Sequence, residues 1–182
     1  MRLFVGIPLA PKTIEELSAV SRKLRSREDG LRWSTPESWH ITLQFLGNTT
    51  QDQYGCIVAG LRCLHSPSLS IRLQDPGFFD RAGVFFVGVE PTPPLVSLQQ
   101  RVRAATEPCG FVPENRPYHP HITLARSKGK TPRQSLRALQ SKLQNQPRFR
   151  AFVAKEFLLY ESRPGPEGSR YEICERFALA GR

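Results

Sequence analysis

The chain has 182 residues, 39% of them apolar, and carries 26 Lys and Arg against 16 Asp and Glu, a net charge of +10. That length suits one domain, or one domain with two lobes, and the apolar share supports a core and excludes a largely disordered chain. The charge favours a polyanionic partner, nucleic acid or nucleotide first, and with no run of 18 apolar residues no membrane helix is expected.

The opening residues, MRLFVGIPLAPK, hold an apolar run too short for a signal peptide, broken by Pro8 and Pro11, so the cytoplasm is the expected location. Within them, Leu3–Ile7 reads as a buried strand with a central glycine that ends at a proline. Ile14, Leu17, Val20 and Leu24 then recur at helical spacing, and Gly30 follows as a C-cap or turn. The run SWHITLQFLG carries His40 and Thr42, and Gly47 breaks it. Thr50 opens a capping box, TQDQ, ahead of a helix with Tyr54, Ile57, Leu61 and Leu64 on one side. A strand is predicted over Ser70–Leu73.

The same order then returns. FFVGV at Phe85–Val89 repeats LFVGI with a shift of 82, and Thr92 with Pro93 predicts a helix start. Leu95, Leu98, Val102 and Ala105 supply the helical stripe, and Gly110 closes it. His121-Ile-Thr-Leu124 repeats His40-Ile-Thr-Leu43 at 121 − 40 = 81 residues, and Gly129 breaks the second run. Thr131 predicts another helix, with Leu136, Leu139 and Leu143. Strands over Arg150–Tyr160 and Tyr171–Leu179 follow, joined by the turn ESRPGPEGSR. The duplication predicts one α+β domain spanning residues 1–182. It would have two pseudo-symmetric lobes, each an antiparallel sheet with helices on its outer side, facing a central cleft.

A strand alternates faces, so His40 shares a face with Thr42, and His121 with Thr123, while Ile41, Leu43, Ile122 and Leu124 face inward. Two imidazoles and two hydroxyls across a pseudo-twofold axis suit phosphoryl chemistry. One histidine acts on the attacking oxygen and the other on the leaving oxygen, with hydroxyls donating to the non-bridging oxygens. A single His-x-Thr is usually structural. Two copies with identical intervening letters, inside a wider duplication, point to function. There is no G-x-S-x-G nucleophile motif.

His119 and His121 form an H-x-H, but no carboxylates accompany it, so neither a metal nor a cofactor is expected. His119 reads as a strand-entry residue. The four cysteines form no C-x-x-C and are expected as free, packed thiols. Trp33, Trp39, Phe45 and Tyr118 lie near the motifs and are candidates to stack on a base. Core packing is the preferred reading for Phe45, and the two readings stand level for Tyr118.

The segments RLFVGIPL, LRWSTPESWHITLQFLG, RPYHPHITLAR and LLYESRPGPEGSRYEICERFAL together resemble the two-histidine phosphoesterases. Within them the chain is similar to the RNA 2',3'-cyclic phosphodiesterases, also called 2'-5' RNA ligase-like proteins. The resemblance implies a bilobal fold with each motif on a central strand. It implies opening of an RNA-terminal 2',3'-cyclic phosphate to a 2'-phosphate. His40 would be the proton donor to the leaving 3'-oxygen, His121 the proton acceptor for water, and Thr42 and Thr123 would hold the phosphate. With an RNA 5'-hydroxyl in place of water, some relatives form a 2'-5' linkage. Arg126 would suit a phosphate, yet it lies five residues after His121, so strict alternation turns it away unless a bulge intervenes. A monomer is expected. The alternatives are a non-catalytic RNA-binding module, which the intact motif histidines oppose, and an esterase of small cyclic nucleotides.

Overall fold

The apolar run at the start forms β1 (Arg2–Pro8), and Leu3 through Ile7 are all buried, as a strand covered on both faces requires. The computed structural model describes residues 1–26, 29–112, 116–129, 139, 141–142, 148–165 and 168–180. Pro11 takes the first helical position of α1 (Pro11–Leu24), where a missing N–H breaks no helical bond, and Leu17, Val20 and Leu24 form the buried stripe. The strands β2 (Leu31–Trp33) and β3 (His40–Asn48) flank a 3₁₀ turn at Pro36–Ser38. Helix α2 (Gln51–Arg62) begins at the predicted capping box. The Thr50 hydroxyl accepts from the Gln53 N–H at 3.3 Å, and the Gln53 side-chain oxygen accepts from the Thr50 N–H at 3.0 Å.

Next come β4 (Leu69–Ile71), β5 (Leu73–Phe79), β6 (Val84–Val89) and α3 (Pro93–Thr106). Thr92 is the N-cap of α3, as expected, but its hydroxyl makes no capping bond, and Pro93 alone marks the start. After β7 (His121–Ser127) the chain forms β8 (Phe152–Ala154), β9 (Glu156–Arg163) and β10 (Arg170–Ala178). The single strand expected over Arg150–Tyr160 is two, because Lys155 lies between them and turns its carbonyl to the Leu179 N–H at 2.7 Å. Most of the helix expected after Thr131 lies outside the described residues. Leu139, which is buried, and Ser141–Lys142 are helical.

Two four-stranded antiparallel sheets carry the duplication, in the orders β10-β9-β1-β3 and β2-β7-β6-β5, with β4 and β8 paired separately. The series β3-β1-β9 in one sheet matches β7-β6-β5 in the other. Each sheet then gains one strand, at opposite ends: β10 beyond β9, and β2 beyond β7. The second motif strand is therefore interior, as expected. The first is not: β3 pairs with β1 alone and forms the sheet edge, because its sheet is extended on the far side. One apolar cluster joins the inner faces, with Val5, Ile7, Ile41 and Leu43 from one sheet and Phe85, Val87, Ile122 and Leu124 from the other. The end of α3 reaches β3, where the Thr106 hydroxyl donates to the Gln44 side-chain oxygen at 2.8 Å.

The cysteine expectation is half corrected. Cys63 and Cys174 are free thiols, but Cys56 on α2 and Cys109, in the turn after α3, form a disulfide with their Cα atoms 5.7 Å apart. The pairing follows from the packing of α2 beside the end of α3, which brings together residues 53 apart in sequence. No helix among the described residues is long and apolar enough to cross a membrane.

Candidate active site

Each motif strand starts with its histidine, which is held by the carbonyl two residues before it. The Nδ1–H of His40 donates to the Ser38 carbonyl at 2.8 Å, and the Nδ1–H of His121 donates to the His119 carbonyl at the same distance. A carbonyl can only accept, so each neutral ring carries its proton on Nδ1 and keeps the Nε2 lone pair for chemistry. The Nε2 of His40 lies 3.1 Å from the Thr42 hydroxyl, its neighbour on the same face.

The sheets shape the space around each ring. Gly6 on β1 lies beneath His40. A Cβ there would stand 3.0 Å from the Ile41 carbonyl oxygen and 3.4 Å from the His40 ring, so the central glycine of LFVGI lets the ring settle. Phe4 packs 4.6 Å from His40, and Tyr171 meets it edge-on at 5.1 Å. On the other lobe, Phe79 meets His121 edge-on at 4.9 Å and Phe86 lies at 5.3 Å. The Phe86 ring in turn covers Gly77, where a Cβ would come within 2.6 Å of it. Tyr118 fastens the two motifs together: its hydroxyl donates to the Thr42 carbonyl at 3.0 Å.

A bulge decides the position of Arg126. The pairing of β6 with β7 runs Phe86 to Thr123 and then Phe85 to Ala125, skipping Leu124. Leu124 and Ala125 are both buried, and alternation resumes one residue late. Arg126 thereby returns to the face of His121 and Thr123, exposed, with its charge acting on both histidines. The first motif carries the same device. Gly6 pairs with Thr42 and Val5 with Gln44, skipping Leu43, so Phe45 occupies the position equivalent to Arg126. Phe45 is 66% exposed, which corrects its assignment to the core. Of the other aromatic candidates, Trp39 is buried, Trp33 packs edge-on to Phe85 at 5.8 Å, and Tyr118 is held by its bond to Thr42.

Electrostatics keep both rings neutral in the free protein. Burial pushes His40 down from 6.5 to about 4. The Ser38 carbonyl opposes this, and the charges of His121 and Arg126 reinforce it. His121 is lowered for the same first reason, opposed by the His119 carbonyl and reinforced by His119 and Arg126. His119 itself is exposed against Phe79, at 5.5 Å between ring centroids. Among the described residues no group of three metal-ligating side chains occurs.

The structure thus gathers His40, Thr42, His121, Thr123 and Arg126 on facing strands. Sequence reasoning missed Tyr160 and Tyr171, whose strands pair beside β1, and Phe79 and Phe86, which wall His121. Their signal was faint: aromatic residues in strand runs, one of them interrupted by Pro76 and Gly77.

The two lobes thus present duplicated His-x-Thr strands, each with a carbonyl-anchored imidazole. The chain belongs to the 2'-5' RNA ligase superfamily, whose family model matches residues 8–165. It is 33% identical over 133 residues to an RNA 2',3'-cyclic phosphodiesterase of Thermotoga maritima, covering 70% of this chain and 71% of the relative. It is 28% identical over 180 residues to the enzyme of that name from Escherichia coli, covering 98% and 96%. Among solved structures it is similar to E. coli LigT complexed with 3'-AMP, at a TM-score of 0.82 and 26% identity, covering 99% of this chain and 98% of LigT. A Thermus thermophilus protein matches at a TM-score of 0.81 and 27% identity, over 100% and 99% of the two chains.

Proposed function

We propose that this protein is an RNA 2',3'-cyclic phosphodiesterase that opens the terminal ring to a 2'-phosphate by acid/base catalysis with two histidines. The observation that carries the reading is the pair of imidazoles, each fixed through Nδ1 to a backbone carbonyl so that Nε2 is the nitrogen left for proton transfer, that of His40 accepting from the Thr42 hydroxyl at 3.1 Å in the free protein. Family membership and the similar cyclic phosphodiesterases support the substrate class.

In the proposed reaction, neutral His121 accepts a proton from water at Nε2 as the water oxygen bonds to phosphorus. The bond from phosphorus to the 3'-oxygen breaks, and the Nε2–H of protonated His40 gives its proton to that oxygen. The hydroxyls of Thr42 and Thr123 donate to the non-bridging oxygens, and Arg126 offsets the charge that builds there. His40, lowered to about 4 in the free protein, gains its proton when the phosphate anion binds beside it, because a nearby negative charge favours imidazolium. An RNA 5'-hydroxyl in the water's place would give 2'-5' ligation by the same steps. All five side chains come from one chain, so a monomer suffices. We infer cytoplasmic RNA as the substrate pool. The Cys56–Cys109 bond tests that inference, since disulfides are uncommon in reducing compartments. The experiment for the reaction is turnover of a short RNA ending in 2',3'-cyclic phosphate, with the position of the product phosphate assigned.

A further inference from the structure

Some exposed cations of this protein are ion-paired and others are not. Arg62, Arg72, Arg163 and Arg176 are ion-paired, to Glu175, Glu90, Glu161 with Glu172, and Glu156 respectively. Four of these five pairs lie on or against β9 and β10, so Arg62, Arg163 and Arg176 on that flank of the site are each matched by a carboxylate. On the other flank, Arg126, Arg32 and Lys128 are exposed, and among the described residues none forms an ion pair.

Strand register shows where these three lie. Arg32 on β2 pairs directly with Arg126 on β7, and directly opposed residues of an antiparallel pair project from the same face. Arg32 therefore stands next to Arg126 on the cleft face, one strand further out, on the edge strand of its sheet. Lys128 follows β7 by one residue, with its N–H donating to the Gly30 carbonyl at 2.9 Å. An open groove along the edge of β2 is lined by Arg32, Lys128, Arg25 and Trp33. The guanidinium of Arg25 lies 5.9 Å above the Trp33 ring. The groove's one carboxylate, Asp29, is engaged by the Trp33 Nε1–H at 2.7 Å and by the N–H groups of Leu31 at 2.8 Å and Ser26 at 3.2 Å. Two like charges held side by side without a counterion repel each other, and an anion between or beyond them relieves that cost.

We propose that the RNA strand leaves the catalytic centre over β7 and β2, with Arg32 and then Lys128 binding the phosphates that precede the cyclic end. This rests on the cyclic phosphodiesterase reading and adds to it a direction and a reason to prefer an oligomer over a mononucleotide. The strand runs over the lobe of His121 and away from the flank where Glu161, Glu172 and Glu175 already hold the arginines.

The test compares kcat/KM for a 2',3'-cyclic mononucleotide and for a short RNA with the same cyclic end, in the wild type and in Arg32→Ala, Lys128→Ala and the double variant. The ratio of oligomer to mononucleotide kcat/KM should fall about tenfold in the double variant, and each lost phosphate contact should flatten the salt dependence by about 0.7 in log–log slope. Arg62→Ala, which removes the same charge from helix α2, should leave the ratio unchanged. A ratio unchanged in the double variant, or an equal fall in Arg62→Ala, overturns the proposal. If the wild type turns over neither substrate, the enzymatic reading fails and the path is still decided by fluorescence anisotropy with a 3'-phosphorylated RNA. Weaker binding by the double variant than by Arg62→Ala supports the path, and equal binding overturns it.

Discussion

Replacing His40 with Gln should make the protein more resistant to acid, and the size of the effect follows from the burial of the ring. In the unfolded chain residue 40 takes up a proton near 6.5, and in the folded protein burial delays this to about 4. Between those values the unfolded state binds the extra proton, so stability declines as pH falls through the window. The full span, 6.5 − 4, corresponds to at most about 3 kcal/mol. The opposite sign would hold only if the folded protein raised the value of this histidine. Gln carries no titrating group, so His40→Gln should lack this component, while the contribution of His121 stays in both proteins. Urea unfolding at about pH 7 and about pH 4 supplies the double difference. If the variant loses as much stability on acidification as the wild type, His40 is not held neutral by burial, and the electrostatic account of the site is wrong.

His40→Ala and His121→Ala should each lower turnover by roughly 10²–10⁴. A substrate with an activated 3'-leaving group should rescue the first far more than the second, and equal rescue would contradict the donor and acceptor roles. Arg126→Gln removes a cation that lowers both imidazoles, so both limbs of the pH profile of kcat/KM should move to higher pH; an unmoved profile would place the guanidinium away from the pair. Tyr118→Phe should cost about 1 kcal/mol in urea unfolding by freeing the Thr42 carbonyl, and a loss near zero would show that the bond is dispensable. Cys56→Ser should cost up to about 4 kcal/mol relative to the oxidised protein, from a cross-link spanning 53 residues; equal stability with and without reductant would show that the thiols are not bonded.

The repeated His-Ile-Thr-Leu was legible because it combines two signals, period-two alternation within the strand and recurrence 81 residues on. The capping box at Thr50 was legible because both of its bonds are local. What escaped depended on relations between distant segments. Arg126 belongs to the site only because the ladder skips Leu124, and the adjacent apolar pair Leu124-Ala125 was the trace of that bulge in the sequence. The same skip at Leu43 turned Phe45 outward. Strand β5 was hidden by Pro76 and Gly77, which a sheet tolerates at an edge and where its register shifts. That β3 is an edge strand, and that Cys56 meets Cys109, follow from which elements pack together, and no local pattern records it.

The central claim is tested most directly by the product of one reaction. The protein is incubated, with EDTA present, with a short RNA ending in a 2',3'-cyclic phosphate, and the position of the phosphate in the product is assigned by NMR. The account predicts turnover to a 2'-phosphate, undiminished by the chelator and abolished in the His40→Ala/His121→Ala double variant. A 3'-phosphate product, or turnover that persists in the double variant, would contradict it.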